Sequence, residues 1–289
     1  MHAINYEAPK TVKDAVALLA QHGEKARPLC GGTDLIIQLR AGVRRPDHIV
    51  DVKKISELTH LSYDAKKGLR LGAAVPAIEV CENKDLKRHY PGLVEAAHLI
   101  GSNQIQTRAS VGGNLCNGSP AADTTPALIA LGARARVAGP KGEREVKVED
   151  FCTAPGRTVL APGELLVEIL IDAPKPHSAD AYLRFIPRNE MDIAVVGVGS
   201  WLHLDGDKVS AARISLGAVA PRPLFAAKAS ESLVGKKLDD AAIDRAAKLA
   251  IEQSSPIDDM RGTAEFRRHL VGVLTKRTLH MAAERARKA

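Results

Sequence analysis

Two pairs of adjacent glycines constrain this chain more than any other feature. The first, Gly31-Gly32, follows the apolar run Arg27-Pro28-Leu29-Cys30 and precedes Thr33, Asp34 and a helical pattern with Leu35, Ile36 and Leu39 on one side. The second, Gly112-Gly113, lies in Ser110-Val111-Gly112-Gly113-Asn114, inside a polar stretch running from Gly101 to Thr125. Glycine brings no side chain, so a ligand can approach the backbone and its N–H groups closely. A strand, a glycine turn and a helix with Thr33 at its expected N-cap suit a diphosphate. Taken alone, either pair is also compatible with an ordinary tight turn. A polar stretch as long as 101–125 inside a compact chain is expected to be functional or disordered. Further along it, Ser119-Pro120-Ala121-Ala122-Asp123 adds a hydroxyl and a carboxylate; Asp123 could equally be a helix cap.

The surrounding pattern is mixed. Thr11 and Asp14 form a capping-box-like pair ahead of Val12, Ala15, Val16 and Leu19, with Gly23 as a stop. His48–Val52 reads as a strand, so the N-terminal part is a small β-α-β unit. Strands are expected over 68–75, 133–138, 144–148 and 165–171, and helices over 77–86, 91–100 and 126–132. The segment 139–143 reads as a hairpin turn. Asp172–Asp180, with Pro174 and Pro176, reads as a linker. Beyond it three strands (181–186, 193–204, 208–219) precede helices over 224–233, 239–253 and from about 263. The fold class expected is α+β: a two-part domain over 1–175 (parts 1–57 and 58–175), then a domain over 176–289 of three antiparallel strands and a helix bundle.

Several functions are excluded by what is missing. Gly197-Val198-Gly199 lacks the third glycine of a dinucleotide fingerprint and continues as a strand. No phosphate loop of the G-x-x-x-x-G-K type and no G-x-S-x-G elbow occurs. Cys30, Cys81, Cys116 and Cys152 are far apart, with no zinc-like spacing, so no metal site is expected in the chain and free thiols are. The net charge of +7 comes with scattered Lys and Arg and few aromatics, which argues against nucleic acid. No apolar run is long enough to span a membrane. Met1-His2-Ala3-Ile4-Asn5 shows no basic region followed by an apolar one, so a cytoplasmic protein is expected.

In order and spacing, Cys30–Leu35, Gln104–Asn114, Ser119–Asp123, Gly163-Glu164-Leu165-Leu166 and Arg188–Ala194 resemble the FAD-binding medium subunits of the xanthine dehydrogenase and carbon monoxide dehydrogenase family, the molybdenum hydroxylases. The likeness covers nearly the whole chain. It implies an FAD domain of the vanillyl-alcohol oxidase and para-cresol methylhydroxylase (PCMH) type, followed by a C-terminal domain of the carbon monoxide dehydrogenase flavoprotein type. It implies non-covalent FAD, with Leu29, Cys30, Gly31, Gly32, Thr33, Asp34 and Leu35, and Ser110, Val111, Gly112, Gly113 and Asn114, along the diphosphate and ribityl chain. Asp123 would bind a polar part of the FAD. Ile100 and Leu166 would pack near the flavin ring or the adenine, and Arg184 would sit near the isoalloxazine. Cys30 stands where Ala is usual, Ser110 where Thr is common, and Arg184 where Lys is frequent. The resemblance further implies a molybdopterin-binding large subunit and a small subunit with 2Fe-2S clusters as partners. Electrons would pass from those clusters through FAD to NAD, a quinone or another acceptor, and no residue here would act on the organic substrate. The cysteine-rich loop that some relatives use for an extra cluster is absent. The competing readings are a flavin-less scaffold subunit and a free-standing FAD-dependent oxidase.

Overall fold

The computed structural model describes residues 3–289, so Met1 and His2 of the N-terminal segment lie outside the described residues. The first part is a three-stranded parallel sheet. His48–Asp51 lies at its centre, between Asn5–Glu7 and Ala26–Leu29. Helix Val12–His22 packs on it through buried Ala15, Val16 and Leu19. The Thr11 hydroxyl accepts a hydrogen bond from Asp14 N at 3.1 Å and donates to Asp14 Oδ2 at 2.7 Å, so a cap forms although Asp replaces the usual Glu.

The second part is a five-stranded antiparallel sheet in the order Leu61–Asp64, Gly68–Gly72, Leu165–Ile171, Arg134–Gly139, Gly142–Lys147. The edge strand Leu61–Asp64 escapes pattern reading because it alternates for only four residues. Gly139 pairs with Gly142, which places the expected hairpin turn at Pro140-Lys141. The single helix expected over 77–86 is two, Ala77–Glu82 and Lys84–His89. Asn83 breaks it by turning its side-chain oxygen onto Asp85 N and Leu86 N, 3.0 and 3.1 Å away.

In the last part, Ser178–Phe185, Val196–Asp205 and Lys208–Gly217 form the expected antiparallel strands. Leu224–Phe225 adds a short fourth strand where a helix start was expected; the helix begins at Ala227. Asp240–Gln253 and the 25-residue Ala264–Lys288 complete this layer. The chain carries two large apolar cores, one drawn from residues 15–171 and one from 179–286. Among the described residues no helix is long and apolar enough to cross a membrane.

One buried charge cluster pins the five-stranded sheet. Glu168, 2% exposed, accepts from Arg70 Nε and Nη2 at 3.0 and 2.6 Å and from Arg136 Nε at 2.6 Å. Burial pushes this carboxyl up, but the two guanidiniums outweigh burial and hold it below the usual glutamate value of 4.5. A depressed folded value means that its contribution to stability is complete above 4.5 and is lost as pH falls through the lower folded value. Glu168→Gln is therefore expected to cost about 2 kcal/mol near neutrality and to flatten the acid limb of the stability curve. Urea titrations of both proteins across the acid range check this; an unchanged acid slope in the variant would refute it.

Candidate functional site: a cleft between two glycine turns

Strand Ala26–Leu29 runs into Cys30-Gly31-Gly32, and Gly32 turns the chain at φ +75°. The helix that follows, Leu35–Arg40, is capped in position by Asp34 rather than by Thr33, and neither side chain bonds the helix N-terminus. The stretch 101–125, expected as one long loop, contains helices Asn103–Gln106 and Val111–Asn117. Gly112 and Gly113 thus lie in the first turn of a helix whose N-cap is Ser110. Gly113 N donates to Ser110 Oγ at 2.9 Å. Ser110 caps the helix, and Gly118 at φ +63° ends it.

The two turns face each other. Cys30 Sγ lies 3.2 Å from Ser110 Oγ, and Asn117 Nδ2 donates to Asp34 Oδ1 at 3.2 Å. Between them opens a cleft of about 590 Å³, a size ordinary for a cofactor site. Cys30, Gly31, Gly32, Thr33, Asp34 and Leu35 line it from one side, and Ser110, Gly112, Gly113 and Asn114 from the other. Ile100 and Leu166, 9% and 2% exposed, add apolar wall. Leu29, Val111, Asp123 and Arg184 are not on this wall; Val111 is wholly buried in the core.

The glycines differ in why they are glycine. A Cβ on Gly31 would stand 1.9 Å from the Arg108 carbonyl oxygen, and one on Gly112 would stand 2.5 Å from the Ala73 oxygen, so close packing of the chain itself excludes side chains there. Gly113 has no such reason. Its φ is not positive, and an added Cβ would meet only Ser110 Oγ, at 3.0 Å. Glycine is disfavoured against alanine in a helix by up to about 1 kcal/mol, and the only packing of the chain itself against this position is the Ser110 cap hydroxyl. The space beside Gly113 belongs to the cleft.

Sequence reasoning missed three arginines on the cleft wall: Arg27, Arg44 and Arg157. Burial lowers the pKa of Arg27, and the neighbouring Arg44 lowers it further, with Glu24 acting against them. An anion in the cleft would offset that repulsion. Only the position of Arg27 on a strand entering the first glycine turn could have drawn attention to it. The segment Leu160–Leu165, also on the wall, carried no signal beyond the Gly163–Leu166 motif.

Asp123 occupies the N-cap position of helix Thr124–Ala130 without capping it. Instead its Oδ1 accepts from Tyr182 Oη at 3.1 Å and its Oδ2 from Arg184 Nη1 at 2.6 Å. Burial pushes the Asp123 carboxyl up to about 6, against the pull of Arg184 and Tyr182. The Arg184 side chain is 4% exposed, and its Nε, also buried, has no hydrogen-bond partner. Asn114 links this cluster to the cleft: its Oδ1 accepts from Thr124 Oγ1 at 2.6 Å, one residue from Asp123. Gly197 and Gly199, the rejected dinucleotide candidates, are explained by packing. Side chains there would strike Tyr182 Oη at 2.6 Å and the Pro126 oxygen at 2.8 Å.

Comparison with known proteins gives the family. Residues 2–174 match the family described as the FAD binding domain in molybdopterin dehydrogenase, and residues 181–282 match the CO dehydrogenase flavoprotein C-terminal domain. The chain is 35% identical to the carbon monoxide dehydrogenase medium chain of Afipia carboxidovorans, over 99% of this chain and 98% of that one. It is 31% identical to the xanthine dehydrogenase FAD-binding subunit of Escherichia coli, over 98% and 97%. The structure of reconstituted CO dehydrogenase from Oligotropha carboxidovorans superposes with a TM-score of 0.94 at 34% identity, covering 98% of this chain and 99% of that one. The chain therefore belongs to the family of FAD-binding medium subunits of the molybdenum hydroxylases, as an oxidoreductase flavoprotein subunit.

Proposed function

We propose that the cleft between the two glycine turns holds one FAD non-covalently, in a medium subunit that works beside a molybdopterin-binding large subunit and a 2Fe-2S small subunit. Gly113 is the observation that carries the reading, a first-turn helix glycine on the cleft wall whose added Cβ would meet no backbone and only the Ser110 hydroxyl. The turn Gly31–Asp34 and the turn Ser110–Asn114 would hold the diphosphate and ribityl chain. Arg27, Arg44 and Arg157 would offset its charge, and Ile100 and Leu166 would exclude water from an apolar part. Asp123 and Arg184 would act from behind Asn114, fixing the wall that it forms. Bound FAD would supply electron exchange between the clusters of the small subunit and NAD, a quinone or another acceptor.

Non-covalent binding is supported by the wall itself. Among the described residues, none of those on it is a His or Tyr that could form a link. Of its thiols, burial raises Cys30 and pushes Cys116 up to about 12, so both stay protonated and poorly nucleophilic. The same reading divides the chain into an FAD-binding domain over 1–175 and a C-terminal domain over 176–289, and the two apolar cores support this. It also places the protein in the cytoplasm, in keeping with its free cysteines.

Acid precipitation of the purified protein is expected to release one equivalent of FAD into the supernatant. Flavin retained in the pellet would overturn non-covalent binding, and FMN in the supernatant would overturn the diphosphate assignment. Co-purification of a molybdopterin protein and a 2Fe-2S protein with the tagged chain tests the partners.

A further inference from the structure

On the first sheet, beside Gly23 in the chain, three potential ligands converge from three elements. Glu7 ends strand Asn5–Glu7, His48 opens the central strand, and His22 ends helix Val12–His22. Asn5 pairs with His48, so Glu7, two residues on, projects from the same face as Asn5. One donor atom from each of Glu7, His22 and His48 can be chosen so that all lie within 4.8 Å of one another. His48 Nδ1 is buried and has no hydrogen-bond partner; Glu7 Oε1 stands 3.5 Å from it, within ion-pair distance of a protonated imidazole. The His22 and His48 rings stack with centroids 3.5 Å apart and planes 16° from parallel.

We infer that Glu7, His22 and His48 form a binding site for one divalent cation of the zinc class, with water as its fourth ligand. Two imidazoles and one carboxylate are an N/O set that suits zinc and its late first-row neighbours, whereas magnesium and calcium prefer oxygen alone. A tetrahedral ion with bonds of about 2.0–2.1 Å needs donors about 3.3 Å apart, so the cluster must contract. The in-plane lone pairs of stacked rings run parallel and cannot meet at one ion, so one ring must leave the stack. His22 is the one free to do so: it is half-buried in the last turn of its helix, and Gly23 at φ +52° follows it. His48 stays on its strand with the unpartnered Nδ1 as the fixed donor. An ion here would tie strand Asn5–Glu7, helix Val12–His22 and strand His48–Asp51 together, next to the Gly23-Glu24 edge of the cleft.

The test is a calorimetric titration of chelator-treated, flavin-loaded protein with Zn²⁺ alone, repeated with Co²⁺ and followed by visible absorbance. One equivalent is expected to bind, and Co²⁺ is expected to give the intense bands of a four-coordinate site without a thiolate band. Glu7→Gln and His22→Ala, both at partly exposed positions, should each weaken Zn²⁺ binding at least about 30-fold. Absence of a one-equivalent site would overturn the inference. So would unchanged binding in both variants, or a Co²⁺–thiolate band, each of which would put the ion elsewhere on the chain.

Discussion

Gly113→Val is expected to leave the protein folded and without flavin. A Cβ added there meets only Ser110 Oγ, at 3.0 Å, a tight contact that a shift of a few tenths of an ångström in the cap hydroxyl relieves, and the backbone φ is not positive. The branched side chain must instead enter the cleft that the two glycine turns enclose. A loss of at least about 100-fold in FAD affinity, some 3 kcal/mol, is expected from filling space that the cofactor needs. Gly113→Ala separates the cofactor from the helix. Without FAD it should stay folded with a stability close to the parent's, because the helix preference for alanine of up to about 1 kcal/mol is set against the 3.0 Å contact with the Ser110 hydroxyl, yet its flavin affinity should fall. Flavin absorbance relative to protein, with circular dichroism as the check on folding, reads both effects. A valine variant that purifies with a full complement of flavin would show that Gly113 does not face the cofactor.

Arg184→Ala is expected to destabilise the fold by about 3 kcal/mol, because it strands a buried carboxylate. Asp123 is 8% exposed and has two partners, Tyr182 and Arg184, of which only the arginine balances its charge. Adding Asp123→Asn to Arg184→Ala should recover most of the loss, since a neutral amide needs no counter-charge. Urea unfolding of the two single variants and the double variant measures the coupling. Additive losses would show that the pair is not the reason for the burial. The resemblance gives Arg184 the part of a fixed cation by the isoalloxazine; in the structure a carboxylate 2.6 Å away neutralises it. Its removal therefore acts on stability first. A potentiometric titration would show little change in the flavin potential if the pair behaves as a neutral unit, and a clearly more negative potential if the arginine acts as an unbalanced charge.

The parts of the fold that the sequence made legible share a physical origin: they depend on neighbours in the chain. Thr11 caps Val12–His22 because its hydroxyl reaches a backbone N–H three residues on. Ala15, Val16 and Leu19 are buried because the helical repeat puts them on one side. Asp205-Gly206-Asp207 turns the chain between two long strands because Gly206 accepts φ +57°. The parts that were not legible depend on contacts remote in sequence. Helix Val111–Asn117 carries two glycines in its first turn, which local propensity disfavours; it forms because Ser110 is held by a bridge to Pro76, and Gly112 packs against Ala73.

Residue type, order and spacing were enough to identify the family and the two-part fold and to single out the two glycine turns, because these rest on local chain pattern. The sequence did not distinguish Gly31, where an added Cβ would strike the Arg108 backbone oxygen, from Gly113, where it would meet only the Ser110 hydroxyl, at 3.0 Å. Nor could it show that Asp123 and Arg184 neutralise each other, or that Arg27 and Arg44 share one cleft wall. Only tertiary structure decides these points. The burial of a charge and the space beside an atom are set by residues that folding brings together from 61 to 80 or more positions away, as Asp123 and Arg184, or Cys30 and Ser110, are brought together here.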